Sequence, residues 1–165
     1  MLTKILKIVF AVLCVVIIGV QFNRPVKNNS NDQSRHLSTL YPLPDSIDAI
    51  LTAACYDCHS NNTRYPWYAE IQPVGLWMDG HIRHGKGDLN FSEFSDYSPR
   101  KQFRRLEQAQ KMVDNKEMPL PSYTIIHKDA VLTDPQKQTL FAWINATRDS
   151  MKARFHPDSL KGRRR

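Results

Sequence analysis

Cys55-Tyr56-Asp57-Cys58-His59 places two thiols three residues apart, with an imidazole directly behind the second. This C-x-x-C-H spacing puts both sulfurs on one helical turn, where each can add to a vinyl group of a porphyrin. His59 then lies against the macrocycle and serves as the proximal iron ligand. The pattern implies one covalent haem c on Cys55 and Cys58. Other uses of the thiols fit less well. A structural zinc site wants four ligands, and there is no second C-x-x-C or spaced His pair. A thioredoxin-like pair wants a βαβ context, whereas the local pattern is helical. A plain disulfide leaves His59 without a reason.

The far side of an iron at this site needs a second ligand. The candidates are Met118, His81, His84, His127, Met112 and Met78. Met118 is preferred: it sits in Lys116-Glu117-Met118-Pro119, where a proline-stiffened loop can hold a thioether across the iron from His59. A soft thioether favours ferrous iron and raises the reduction potential relative to a second histidine. His81 is the rival, because it falls on the apolar stripe of its helix. Aromatic residues Tyr65, Trp67, Tyr68, Trp77, Phe91 and Phe94 are available to line a haem crevice, and Arg64, Arg83 and Tyr123 to meet its propionates.

Helices and long loops must hold these groups. Ile47, Ile50, Leu51 and Ala54 repeat at helical spacing behind Asp45 or Ser46 as cap. Val74, Trp77, Met78, His81 and Ile82 do so behind Pro73. Ser98-Pro99 opens a third helix with Phe103, Leu106, Ala109 and Val113 on its stripe, and Thr133-Asp134-Pro135 opens a fourth with Leu140, Phe141, Ile144 and Met151. Strict alternation is absent, so the fold class is all-α: a small cytochrome c-like helical domain with long loops at 60–72 and 116–131. Such loops in a compact domain are usually functional.

The expected organisation has four parts: an anchor or signal segment at 1–22, a linker at 23–44, the haem-binding domain at 45–150 and a basic tail at 151–165. Ile5 to Phe22 holds only Lys7 as a charge, which is just long enough to cross a bilayer as one transmembrane helix. A cleavable signal competes, but residues 21–25 offer no small-x-small cleavage site. Residues 23–44 are Asn/Ser-rich and bracketed by prolines, which reads as a spacer, with His36 solvated within it.

The chain has 165 residues, which excludes a two-domain dinucleotide enzyme. Its net charge of +7 comes from the two ends, because residues 23–150 carry 15 basic and 15 acidic groups. A nucleic-acid partner is therefore not expected. Lys4 and Lys7 read as the flank of an anchor, and Lys161–Arg165 as a solvated tail.

The run from Cys55 to Phe94, the Asn62–Tyr68 block, Leu89-Asn90-Phe91-Ser92, and Met118-Pro119 with Tyr123 and His127 together resemble the bacterial haem-binding domain family of small membrane-anchored c-type cytochrome-like proteins. The resemblance covers about residues 45–150 and implies a haem c domain outside the cytoplasmic membrane. It brings neither substrate nor partner. One-electron transfer in the periplasm with membrane-bound or periplasmic redox proteins is the expected function. A sensor or peroxidase-like enzyme with a displaceable distal ligand, and a partner-binding module with structural haem, are the alternatives. The expected location is the bacterial inner membrane, single-pass, with the haem domain facing the periplasm.

Overall fold

The computed structural model describes residues 1–161. Helix α1 (Leu2–Val20) is apolar from Ile8 onward, carries Lys4 and Lys7 in its first two turns, and buries no residue against the rest of the chain. Helices α2 (Asp45–Ala54) and α3 (Tyr56–His59) follow, then α4 (Val74–Asp88), α5 (Pro99–Asp114), α6 (Pro121–Thr124), α7 (Asp134–Arg154) and α8 (Pro157–Leu160), with short 3-10 turns between them. Among the described residues no strand forms. The nearest approach is a lone antiparallel bridge between Asn29 and Asn62. The all-α expectation holds.

The core forms where α5 packs on α7 and α8, and α7 on α2. Leu106 and Val113 of α5 meet Leu140, Ile144 and Met151 of α7, and Ile47, Ile50 and Leu51 of α2 close the cluster. The stripes of these helices face inward as their spacing requires. Local signals fix their starts. Ser98 accepts a hydrogen bond from the Lys101 N–H, and Thr133 and Gln136 form a reciprocal capping box. Helix α2 departs from expectation. Asp45 is its first helical residue, no side chain caps it, and the Pro44 carbonyl starts the ladder. Its Asp45 and Asp48 instead place negative charge in the first turn, where the helix dipole favours it.

Residues 23–44 are not a free spacer. Leu37 is fully buried and Tyr41 nearly so, both within the main core. Asn28 donates to the Ser60 carbonyl and the Thr63 hydroxyl, and its own carbonyl accepts from the Thr63 N–H. His36, expected to be solvated, sets its ring edge-on to Tyr56 at 5.7 Å. The physical reason is that a single turn carrying Leu37, Leu40 and Tyr41 is enough to fill a gap between helices without forming a long periodic element. The tail from 151 is likewise partly structural: Met151 and Leu160 are buried in the core. Of the basic cluster at Lys161–Arg165, residues 162–165 lie outside the described residues.

Candidate functional site

The C-x-x-C-H segment sits at a break between two helices. α2 ends at Ala54, Cys55 leaves helical geometry, and α3 carries Tyr56 to His59 as a single turn. The Cys58 and His59 N–H groups both donate to the Cys55 carbonyl, so the turn holds the two sulfurs and the imidazole together. Cys55 and Cys58 are unbridged thiols. Burial pushes Cys55 up to about 12, reinforced by its neighbour Cys58, and pushes Cys58 up to about 11, reinforced by Asp57. Both are neutral at pH 7, unlike the activated thiolates of redox or zinc sites.

His59 is oriented by backbone. Its Nδ1 lies 2.8 Å from the Leu89 carbonyl and 3.0 Å from that of Gly85. Carbonyls only accept, so Nδ1 carries the proton and Nε2 keeps its lone pair. A ligating histidine held through its other nitrogen is the usual arrangement at a metal.

Gly85 makes this possible in a second way. A Cβ there would stand 2.7 Å from the Cys58 carbonyl oxygen, so only glycine lets α4 approach the motif this closely. Leu89 is held in turn by the segment behind it. Asn90 and Ser92 are fully buried: the Asn90 Nδ2 donates to the Asn61 side chain, and the Ser92 hydroxyl accepts from the Asn61 N–H. The Tyr97 hydroxyl accepts from the Asn90 N–H. The Leu89–Ser92 block thus positions a carbonyl.

Asp57, between the two cysteines, is a buried carboxylate. Its oxygens accept from the Arg64 N–H, from the Arg64 guanidinium at 3.0 and 3.1 Å, and from the Tyr123 hydroxyl at 2.6 Å. Burial and then the bond to Asp57 raise Tyr123 above its ordinary range, so it remains a donor. Tyr123 stacks on His127 at 4.2 Å, and the His127 Nε2 lies 2.7 Å from the Tyr68 hydroxyl. One carboxylate ties the motif to both long loops. Asp57, Asn61, Gly85 and Asn90 escape sequence reasoning because their partners are backbone groups or distant in the chain.

Two adjoining cavities of about 430 Å³ each flank the motif. Cys55, Cys58, His59, Met118, His81 and His84 all line the first. Cys55, His59 and Met118 also line the second, with Phe91, Met112 and Arg105. Met118 reaches them through a tight helix end. At the C-terminus of α5, the Glu117 N–H donates to the Met112 carbonyl and the Lys116 N–H to that of Val113, with Lys116 at φ 61°. This is a Schellman closure with lysine where glycine is usual. The Met118 N–H also donates to the Met112 carbonyl, at 3.0 Å.

His81 is also on the first cavity, its Nδ1 bonded to the Trp77 carbonyl at 2.9 Å, which leaves its Nε2 free. His127 is occupied by Tyr68 and Tyr123, and Met78 faces a third cavity of about 330 Å³. The aromatic residues divide. Trp77 and Phe91 line the first and second cavities, Phe94 is core, and Trp67 and Tyr68 line the third. Tyr65 accepts from the Asn28 N–H instead.

The groups expected at propionates are largely engaged elsewhere: Arg64 and Tyr123 on Asp57, Arg83 on Asp79. Arg105 is also engaged, donating to the Gln108 side chain at 3.0 Å and pairing with Asp88 at 3.5 Å. It nevertheless lines the second cavity, and its buried Nε has no hydrogen-bond partner among the described residues. The two adjoining apolar-walled cavities together present two thiols, a free imidazole nitrogen, a thioether and an unpartnered guanidinium nitrogen, a set that suits a haem. Among the described residues no cluster of three or more His, Cys, Asp or Glu side chains could hold a metal ion, so the zinc reading finds no further ligands.

The haem-binding domain family matches residues 15–146 of the chain. The chain belongs to this family. The match begins at Val15, inside α1, and so takes in the packed segment 23–44 along with the helical domain. No curated protein and no solved structure matches the chain.

Proposed function

We propose that this haem-binding domain carries one covalent haem c, joined to Cys55 and Cys58 and ligated by His59 and Met118, and that it transfers single electrons. The observation that carries this reading is that all four side chains line one cavity, with the His59 Nε2 left free by its carbonyl partners. Such a haem supplies a one-electron Fe(III)/Fe(II) couple. The chain's residues would do the rest. His59 is fixed in one tautomer, the α5 closure holds the Met118 main chain beside the cavity, and Arg105 offers a cation to a carboxylate.

Thioether formation at haem c belongs to an extracytoplasmic compartment. With α1 as a membrane anchor, the domain would face the bacterial periplasm and meet membrane-bound or periplasmic redox proteins. The single apolar helix near the N-terminus is compatible with that placement. A second reading, a sensor or peroxidase-like enzyme, is favoured by His81. Its free Nε2 on the same cavity could serve as an acid–base group beside a displaceable distal ligand.

Expression with a haem c maturation system, followed by denaturing electrophoresis and haem staining, tests the attachment. The wild type retains the stain and the Cys55→Ala/Cys58→Ala variant loses it. Retention by the double variant contradicts the assignment.

A further inference from the structure

Gln21, the residue after α1, is clasped by the domain. Its Nε2 donates to the Gln72 carbonyl and its Oε1 accepts from the Gln72 N–H, both at 3.0 Å. Gln72 is itself buried. Three and six residues further on the ties are ionic, with Arg24 and Lys27 both pairing with Glu70. The end of α1 is therefore held to the 67–72 segment rather than leading into a free spacer.

Large apolar side chains cluster beside that clasp. Ile71 adjoins Gln72, and Val74 begins α4. Trp67, one 3-10 turn back, is 77% exposed and Trp77 is 52% exposed. Trp67, Val74, Trp77 and Ile126 rim the third cavity, which shares Cys58, Trp77 and His81 with the first. Exposed apolar residues grouped in this way mark an interaction surface.

Length decides what covers it. The 19 residues of α1 rise about 28 Å, against a hydrocarbon core of about 30 Å. A helix that short leaves Gln21 at the edge of the hydrocarbon, and hydrogen bonding brings Gln72 to the same level. Tryptophan is the side chain most at home in the interface just outside, with Lys and Arg reaching head groups there.

We propose that the rim of Trp67, Ile71, Val74 and Trp77 lies in the lipid head-group layer, so that the domain rests on the bilayer in one orientation with its third cavity opening onto the membrane. This rests on α1 spanning the bilayer. The occupant of the patch is the lipid surface, because the patch is continuous with the helix that would enter it.

Full-length protein in phosphatidylcholine vesicles brominated near the top of the acyl chains tests this. One variant, Trp77→Phe/Trp143→Phe, keeps Trp67. The other, Trp67→Phe/Trp77→Phe, keeps Trp143, whose Nε1 donates to the Pro42 carbonyl beside α2. The expected result is loss of Trp67 emission and unchanged Trp143 emission, with protein retained by the vesicles in alkaline carbonate. Retention with undiminished Trp67 emission, or equal loss from both tryptophans, overturns the proposal while leaving the anchor standing. Release by carbonate overturns the anchor and the docked orientation together.

Discussion

The Nδ1–H of His59 points at the main-chain carbonyl of Leu89, 2.8 Å away, and this bond decides which imidazole nitrogen faces the cavity. It is a sequence-distant contact made by backbone, and it depends on the fit of α4 against the motif and on the buried Asn61–Asn90–Ser92 set behind it.

Gly85→Ala tests that fit. The added methyl would meet the Cys58 carbonyl oxygen at 2.7 Å, so α4 must move outward and the Gly85 and Leu89 carbonyls with it. A loss of about 1–3 kcal/mol is expected, the usual cost of forcing extra volume into a packed contact. Thermal unfolding checks it, and an unchanged midpoint would contradict the close approach. The neighbouring Gly80 has open space around its Cβ position, so Gly80→Ala serves as the tolerated control.

Asp57→Asn removes the charge that Arg64 and Tyr123 share. Breaking a buried, charge-assisted network costs about 3 kcal/mol. A double-mutant cycle with Tyr123→Phe should show coupling, because one variant removes the charge and the other the donor of the same bond. Additive effects in denaturant unfolding would show that the two residues act independently.

Lys116 occupies a left-handed position at φ 61°, which disfavours any residue bearing a Cβ. Lys116→Gly should stabilise the domain by about 0.5–1 kcal/mol, and Lys116→Val should destabilise it. Urea unfolding of the pair gives the sign. Opposite signs are required, and destabilisation by glycine would contradict the closure that places Met118.

Arg105→Gln withdraws a cation from the wall of the second cavity. A nearby positive charge disfavours the more positive, ferric state, so its removal should lower the midpoint potential of the haem. A redox titration unchanged by the substitution would place Arg105 away from the cofactor.

Much of this was legible in the sequence, for identifiable reasons. Ser98-Pro99 and Thr133 with Gln136 announce α5 and α7 because capping is local chemistry between residues three apart. Cys55, Cys58 and His59 announce themselves by spacing. Leu37 and Tyr41 did not, because with Leu40 they keep helical spacing for only one turn before Pro42, too short to mark an element, although both fill the core. Asp57 stands at a variable position of the motif, and its meaning depends on Tyr123, 66 residues away. The Val74–Ile82 stripe misleads in the opposite direction. Its spacing suggests core, yet of the stripe only Ile82 is buried, while Trp77 and His81 face cavities. Helical periodicity reports an apolar face and not what covers it.

The most direct test of the proposed centre is the ferric optical and magnetic-resonance spectrum of the holoprotein, compared with Met118→Ala and His81→Ala. His59/Met118 ligation requires a low-spin spectrum with the long-wavelength thioether-to-iron charge-transfer band in the wild type. Met118→Ala should lose the band and turn high-spin, and His81→Ala should leave it unchanged. A high-spin wild type, or a spectrum altered by His81→Ala and indifferent to Met118→Ala, would contradict the account.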